Sequence, residues 1–111
     1  MSKAIAYAVG VLEVNASMGL IVAAPTAGSS GVIPGVFCSL QENFGFTDEE
    51  ICKVLFNAAA VGYLITRNAT TAGAEGGCQA EVGAESAMAA SAAVELLGGT
   101  PAQCLDAASF A

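Results

Sequence analysis

The sequence predicts an all-α protein: a single compact helical domain of about five helices around a buried, Ala-rich central helix. Three observations carry that expectation. Thr47-Asp48-Glu49-Glu50 and Thr100-Pro101-Ala102-Gln103 are capping boxes, in which a Thr side chain and the Glu or Gln three residues on satisfy each other's free backbone N–H groups at a helix start. From about Cys78 to Leu97 there is no charge between Glu85 and Glu95, and Ser86 to Ala93 are nearly all small. A helix that is small and apolar all round is normally enclosed by other helices. Finally, 55% of the 111 residues are hydrophobic, many of them alanine, alongside 13 glycines. That is enough for one modest domain whose core is built by close backbone approach rather than by large side chains.

The elements follow in order. Lys3 to about Ser17 reads as a helix, with Ile5, Val9, Leu12 and Ala16 at helical spacing and Glu13 off that stripe. Asn15-Ala16-Ser17-Met18-Gly19 is a break, and Leu20 to Ala24 is an apolar run whose state periodicity cannot decide. Pro25 to Gly31 is a loop of small and hydroxyl residues, after which a helix begins with Ser30 as its expected N-cap and ends at Gly45. The third helix opens at Thr47, with Asp48 and Glu49 suited to its positive end, and runs to about Arg67. Ile51, Leu55, Ala58, Val61 or Gly62, and Ile65 are its expected buried side. After a glycine-rich stretch the central helix runs from about Cys78 and stops at Gly98-Gly99. The last helix starts at Thr100 with Pro101 at N1.

Composition excludes several functions. A net charge of -7 disfavours nucleic acid and anionic membrane surfaces. No apolar run reaches the about 20 residues that a membrane span needs. There is no histidine, so Ser–His or Cys–His catalysis and His-ligated zinc are ruled out within the chain. The four cysteines, at 38, 52, 78 and 104, form no C-x-x-C pair. The residues after Lys3 lack the apolar core of a signal peptide, so a cytoplasmic protein with free thiols is expected.

Thr70 to Gly83 is the chemically richest stretch. Its glycines allow unusual backbone geometry and close ligand approach. Cys78 falls at or near a helix N-terminus, where the dipole favours a thiolate, which is a nucleophile and a soft metal ligand. The alternative is a helix–helix turn with a buried free cysteine. Thr26, Ser29, Ser30 and Gly31 offer hydroxyls and first-turn N–H groups to a carboxylate, or else form an ordinary capped loop. Glu75 is a candidate general base if burial raises its pKa. Arg67 suits a carboxylate, or simply the negative end of its helix. Glu81, Glu85 and Glu95 read as a solvated stripe or as dipole partners.

Three strings are similar to one family: Ala23-Ala24-Pro25-Thr26-Ala27-Gly28-Ser29-Ser30-Gly31-Val32-Ile33-Pro34-Gly35, Gly62-Tyr63-Leu64-Ile65-Thr66-Arg67-Asn68-Ala69-Thr70, and Gly73-Ala74-Glu75-Gly76-Gly77-Cys78-Gln79-Ala80-Glu81-Val82-Gly83. They resemble, in order, the alpha subunit or alpha domain of the iron–sulfur-dependent L-serine dehydratases (L-serine ammonia-lyases), and the resemblance covers nearly the whole chain. It implies that Cys78 ligates a four-iron four-sulfur cluster acting as Lewis acid on the serine hydroxyl. It also implies that Thr26, Ser29, Ser30, Gly31 and Asn68 contribute to L-serine binding, with Glu75 a candidate base, and that a beta subunit or beta domain completes the enzyme. Two further cluster cysteines belong to a later segment that these residues do not include. Residues 1–111 are therefore expected to be a fragment of the catalytic alpha domain, with the cluster absent or incomplete in it and no activity alone. Cys38, Cys52 and Cys104 match no ligand and read as packing cysteines. Neither nucleic acid nor membrane is an expected partner, and homo-oligomerisation is left open. The rival readings are a non-catalytic helical module packing on a partner chain and, more distantly, a membrane-active helical protein.

Overall fold

Most helix boundaries have a local chemical cause. The computed structural model describes residues 1–111 and contains five helices and no strand: α1 Ser2–Ala16, α2 Val32–Phe44, α3 Asp48–Asn68, α4 Gly73–Leu96 and α5 Pro101–Phe110. Both capping boxes form. Thr47 Oγ1 accepts the Glu50 N–H at 3.2 Å, and Glu50 Oε2 accepts the Thr47 N–H at 3.3 Å. Thr100 and Gln103 repeat the exchange at 3.3 and 2.9 Å, with Pro101 in the first turn of α5. Gly45 ends α2 in the left-handed conformation, at φ 72°, where a side chain would be strained.

α4 is the centre of the domain, packed against α2, α3 and α5. It buries Ala84, Glu85, Met88, Ala89, Ser91 and Ala92. Met88 and Ala92 join Phe37, Val54, Ala58 and Val61 in the core cluster. The approach of α3 to α4 depends on Gly62, because a Cβ there would lie 2.8 Å from Met88 Cε. The same seam satisfies its polar groups: Ser91 Oγ donates to Asn57 Oδ1 at 2.6 Å, and Asn57 Nδ2 donates to Glu95 Oε2 at 2.9 Å. No helix is long and apolar enough to cross a membrane.

Four expectations change. The stripe Ile5, Val9 and Leu12 of α1 is exposed, and α1 has no buried residue. Its side towards α2 is instead the alanine side. A Cβ at Gly31 would lie 2.5 Å from Ala8 O, and one at Gly35 would lie 2.7 Å from Ala4 O, so the two backbones touch where side chains are smallest. On α3 Val54 is buried along with Ala58, Val61 and Gly62, while Leu55 is exposed. α4 begins a turn earlier than expected and is broken at Gly77 (φ 78°, ψ 170°), a backbone region open essentially to glycine alone. Among the cysteines, all free, only Cys104 is buried; Cys38 and Cys52 are exposed rather than packed inside. Leu20 to Ala24 is neither helix nor strand.

Enlarging the α4 seam should overpack it. Ala89→Leu and Ala92→Leu, at sites 2% and 0% exposed, are expected to cost about 1–3 kcal/mol each in urea unfolding. Parental midpoints for both would place α4 at the surface.

Candidate functional site

The loop between α1 and α2 is bonded mainly to itself. Asn15 Nδ2 and Ser30 Oγ both donate to Ala27 O, at 3.2 and 2.8 Å. Thr26 Oγ1 lies 3.2 Å from Ser29 Oγ. Ser29, Ser30 and Gly31 are buried, and Thr26 is half-buried. Ser30 is therefore not the N-cap of α2, because its hydroxyl is turned back onto Ala27. Gly31 occupies that position and brings no capping side chain. The Val32 N–H is taken by Ser29 O at 3.1 Å.

The capping oxygen comes from α4 instead. Glu85 Oε1 accepts the Ile33 N–H at 3.1 Å, and the Glu85 side chain is 0% exposed. This corrects the solvated-stripe reading of Glu85: it is a dipole partner, but of α2 rather than of its own helix. A helix N-terminus favours a carboxylate, and the first-turn seat considered for a substrate's carboxylate is held here by the chain's own. Glu85 Oε2 is buried with no hydrogen-bond partner. Burial raises the Glu85 pKa to about 7, against the downward pull of the Ile33 N–H, the Ser29 side chain and the Val32 backbone. A buried carboxyl with so few donors is cheaper to keep neutral than charged.

One turn earlier on α4, Glu81 joins the loop to the glycine-rich stretch. A Cβ at Gly28 would lie 2.6 Å from Glu81 Oε2, and one at Gly73 would lie 2.7 Å from Glu81 Oε1. Two separate glycines thus leave room for one carboxylate, and the Thr26–Gly31 loop meets the Gly73–Cys78 segment there. Cys78 is exposed and follows directly on the Gly77 break, so it opens the unbroken part of α4.

The other residues singled out from sequence are not gathered at this junction by the contacts they make. Glu75 is exposed, and its Oε2 accepts from Thr70 Oγ1 at 2.8 Å; these 111 residues do not supply the burial that a general base would need. Asn68 is exposed and donates back to Leu64 O at 2.8 Å. Arg67 reaches the Tyr63 hydroxyl at 3.2 Å and lies 5.9 Å from that ring's centre. No three cysteine or acidic side chains lie together where a metal ion could be held. The donors of this chain therefore do not by themselves complete a cluster site, and Cys78 stands as one exposed thiol with no second cysteine beside it. Sequence reasoning missed the roles of Glu81 and Glu85. The signal, a weak one, was that Glu85 borders the uncharged small-residue run Ser86 to Val94, which is hard to reconcile with a solvated face.

Glu85 makes stability depend on pH with a definite sign. Its folded pKa of about 7 lies above the ordinary 4.5, so the folded state holds a proton that the unfolded chain has released. The associated stability is complete below the ordinary value and is lost as pH rises through the folded one. With no histidine in the chain, no other side chain ordinarily titrates between about pH 5.5 and 7.5. Tm is expected to fall across that window, and Glu85→Gln is expected to flatten the slope. An identical slope in Glu85→Gln would refute the assignment.

Comparison with known proteins gives a consistent result. The sequence profile of the serine dehydratase alpha chain family matches residues 1–111. The chain is 54% identical over 110 residues to the L-serine dehydratase, alpha chain, of Peptoniphilus asaccharolyticus, covering 99% of this chain and 38% of that one. It is 51% identical over 104 residues to the probable L-serine dehydratase, alpha chain, of Bacillus subtilis (strain 168), covering 94% and 35%. It is 42% identical over 106 residues to the L-serine dehydratase TdcG of Escherichia coli (strain K12), covering 95% and 23%. The chain thus spans well under half the length of these relatives. No solved structure matches it. With the whole of its length matched by one family profile, the chain belongs to the serine dehydratase alpha chain family.

Proposed function

We propose that residues 1–111 are part of the catalytic alpha domain of an L-serine dehydratase, which converts L-serine to pyruvate and ammonia with a four-iron four-sulfur cluster. Family membership over the full 111 residues carries the reading. In it, Cys78 gives one thiolate to the cluster, thiolates being the usual protein ligands of such groups. The remaining ligands come from parts of the enzyme outside these residues. The exposed position of Cys78, directly after the Gly77 break, leaves its sulfur free to meet them. In the 26–31 loop, Thr26 keeps a half-buried hydroxyl for the substrate, while Ser29, Ser30 and Gly31 hold the loop's shape from inside. A beta subunit or beta domain completes the enzyme. Four free thiols suit a cytoplasmic protein.

The test is turnover by the full-length alpha chain with its beta partner after anaerobic iron–sulfur reconstitution. The wild type should form pyruvate from L-serine and absorb broadly near ~400 nm, as iron–thiolate centres do. Cys78→Ser should lose both, and the 111-residue chain alone should form no pyruvate. A folded, colourless full-length protein that yields no pyruvate would leave a helical subunit without chemistry.

A further inference from the structure

A cleft of about 880 Å³ opens between α1, the Leu20–Ala24 segment, α2 and α3. Val11, Val14, Leu20, Ile33 and Leu55 are among the residues that line it, together with the buried Phe37 and Met88. Phe37 and Met88 belong to the core cluster. The cleft is therefore a core with one wall missing rather than a recess beside a finished core. α1 has no buried residue, and Leu20 and Val22 are 96% and 84% exposed. No carboxylate, lysine or arginine lines the cleft, in a chain of net charge -7.

Most of its side-chain donors are already engaged. The Tyr7 hydroxyl donates to Glu42, the Ser30 hydroxyl to Ala27 O, and Gln41 Nε2 to Asp48 Oδ1 at 2.6 Å. Sites for small molecules orient their ligands with a few convergent polar groups, and this lining, without a charged side chain, is dominated by apolar ones. What fits is an apolar polypeptide face. The relatives indicate whose: this chain covers 99% of its own length but only 38% of the Peptoniphilus asaccharolyticus alpha chain, and 35% of the Bacillus subtilis one. A segment of the same polypeptide arrives at the high effective concentration of a tethered partner, and needs only an apolar helical face to complete the core.

We propose that this cleft is the seat of an apolar helix from the remainder of the alpha chain, the part that the longer relatives carry outside the span matched here. The inference rests on the proposed function only in taking residues 1–111 as part of a longer alpha chain. The test therefore needs no turnover. Cys38 is exposed and lines the cleft; Cys52 is exposed on α3 and does not line it. Native full-length alpha chain, with and without its beta partner, is pulsed with iodoacetamide, and the labelling of each cysteine is read by peptide mass spectrometry. Cys38 should react at least tenfold more slowly than Cys52 in the monomeric alpha chain. Val11→Asp should restore Cys38 labelling, whereas Phe56→Asp, an exposed position outside the cleft, should not. Equal labelling of Cys38 and Cys52 overturns the proposal. Protection that appears only with dimerisation assigns the cleft to a second copy, and protection that appears only with the beta partner assigns it to that chain; either result overturns it. Protected Cys38 in a protein that cannot turn over serine sinks the proposed function and leaves this inference standing.

Discussion

The contact on which the arrangement depends is the Glu85 carboxyl against the N-terminus of α2. Ile33 presents a first-turn N–H that no intrahelical carbonyl can accept, and Glu85 Oε1 meets it at 3.1 Å. That bond fixes where α2 begins relative to α4, and so where the Thr26–Gly31 loop lies. The loop in turn is held to α1 through Asn15 and Ala27. The carboxyl is wholly enclosed and has only one of its oxygens partnered. Burial therefore favours the neutral acid, and a helix dipole with one N–H bond offsets only part of that preference.

Around this contact the fold is organised by the absence of side chains. Gly31 and Gly35 admit the backbone of α1, Gly62 admits Met88, and Gly28 and Gly73 admit the Glu81 carboxylate. Two of the glycine-rich strings are thereby brought to one place, and Cys78 opens the helix that joins them to the core. Small-residue seams of this kind bury little apolar area per residue, which fits the cleft left between α1, α2 and α3. The family's longer chains have polypeptide to spare for it.

What was legible in the sequence was what is local. The capping boxes at Thr47 and Thr100 and the stop at Gly45 are decided by residues within a turn of each other, and each forms as read. The Ala-rich run of α4 was legible as the centre because nothing else could surround so small a helix. The buried side of α1 was not legible, since it is chosen by the glycines of α2 rather than by α1's own large residues. The role of Glu85 was not legible either. Its partner lies 52 positions earlier in the chain, and a helical pattern alone does not say which carboxylate of a stripe turns inward. Of the candidate site, the position of Cys78 at a helix start was readable, because glycine breaks helices. The self-bonded state of the Ser29–Ser30 loop was not, because it depends on Ala27 and Asn15 folding back together.

The central claim is that one carboxyl of this acidic chain is buried on a helix N-terminus and holds its proton close to neutrality. Carbon-13 NMR of protein labelled at the glutamate side-chain carboxyls, titrated through the acidic and neutral range, reads it directly. One glutamate resonance should titrate near pH 7, and that resonance should be missing from Glu85→Gln. A spectrum in which every glutamate titrates in the ordinary carboxylate range would contradict the account.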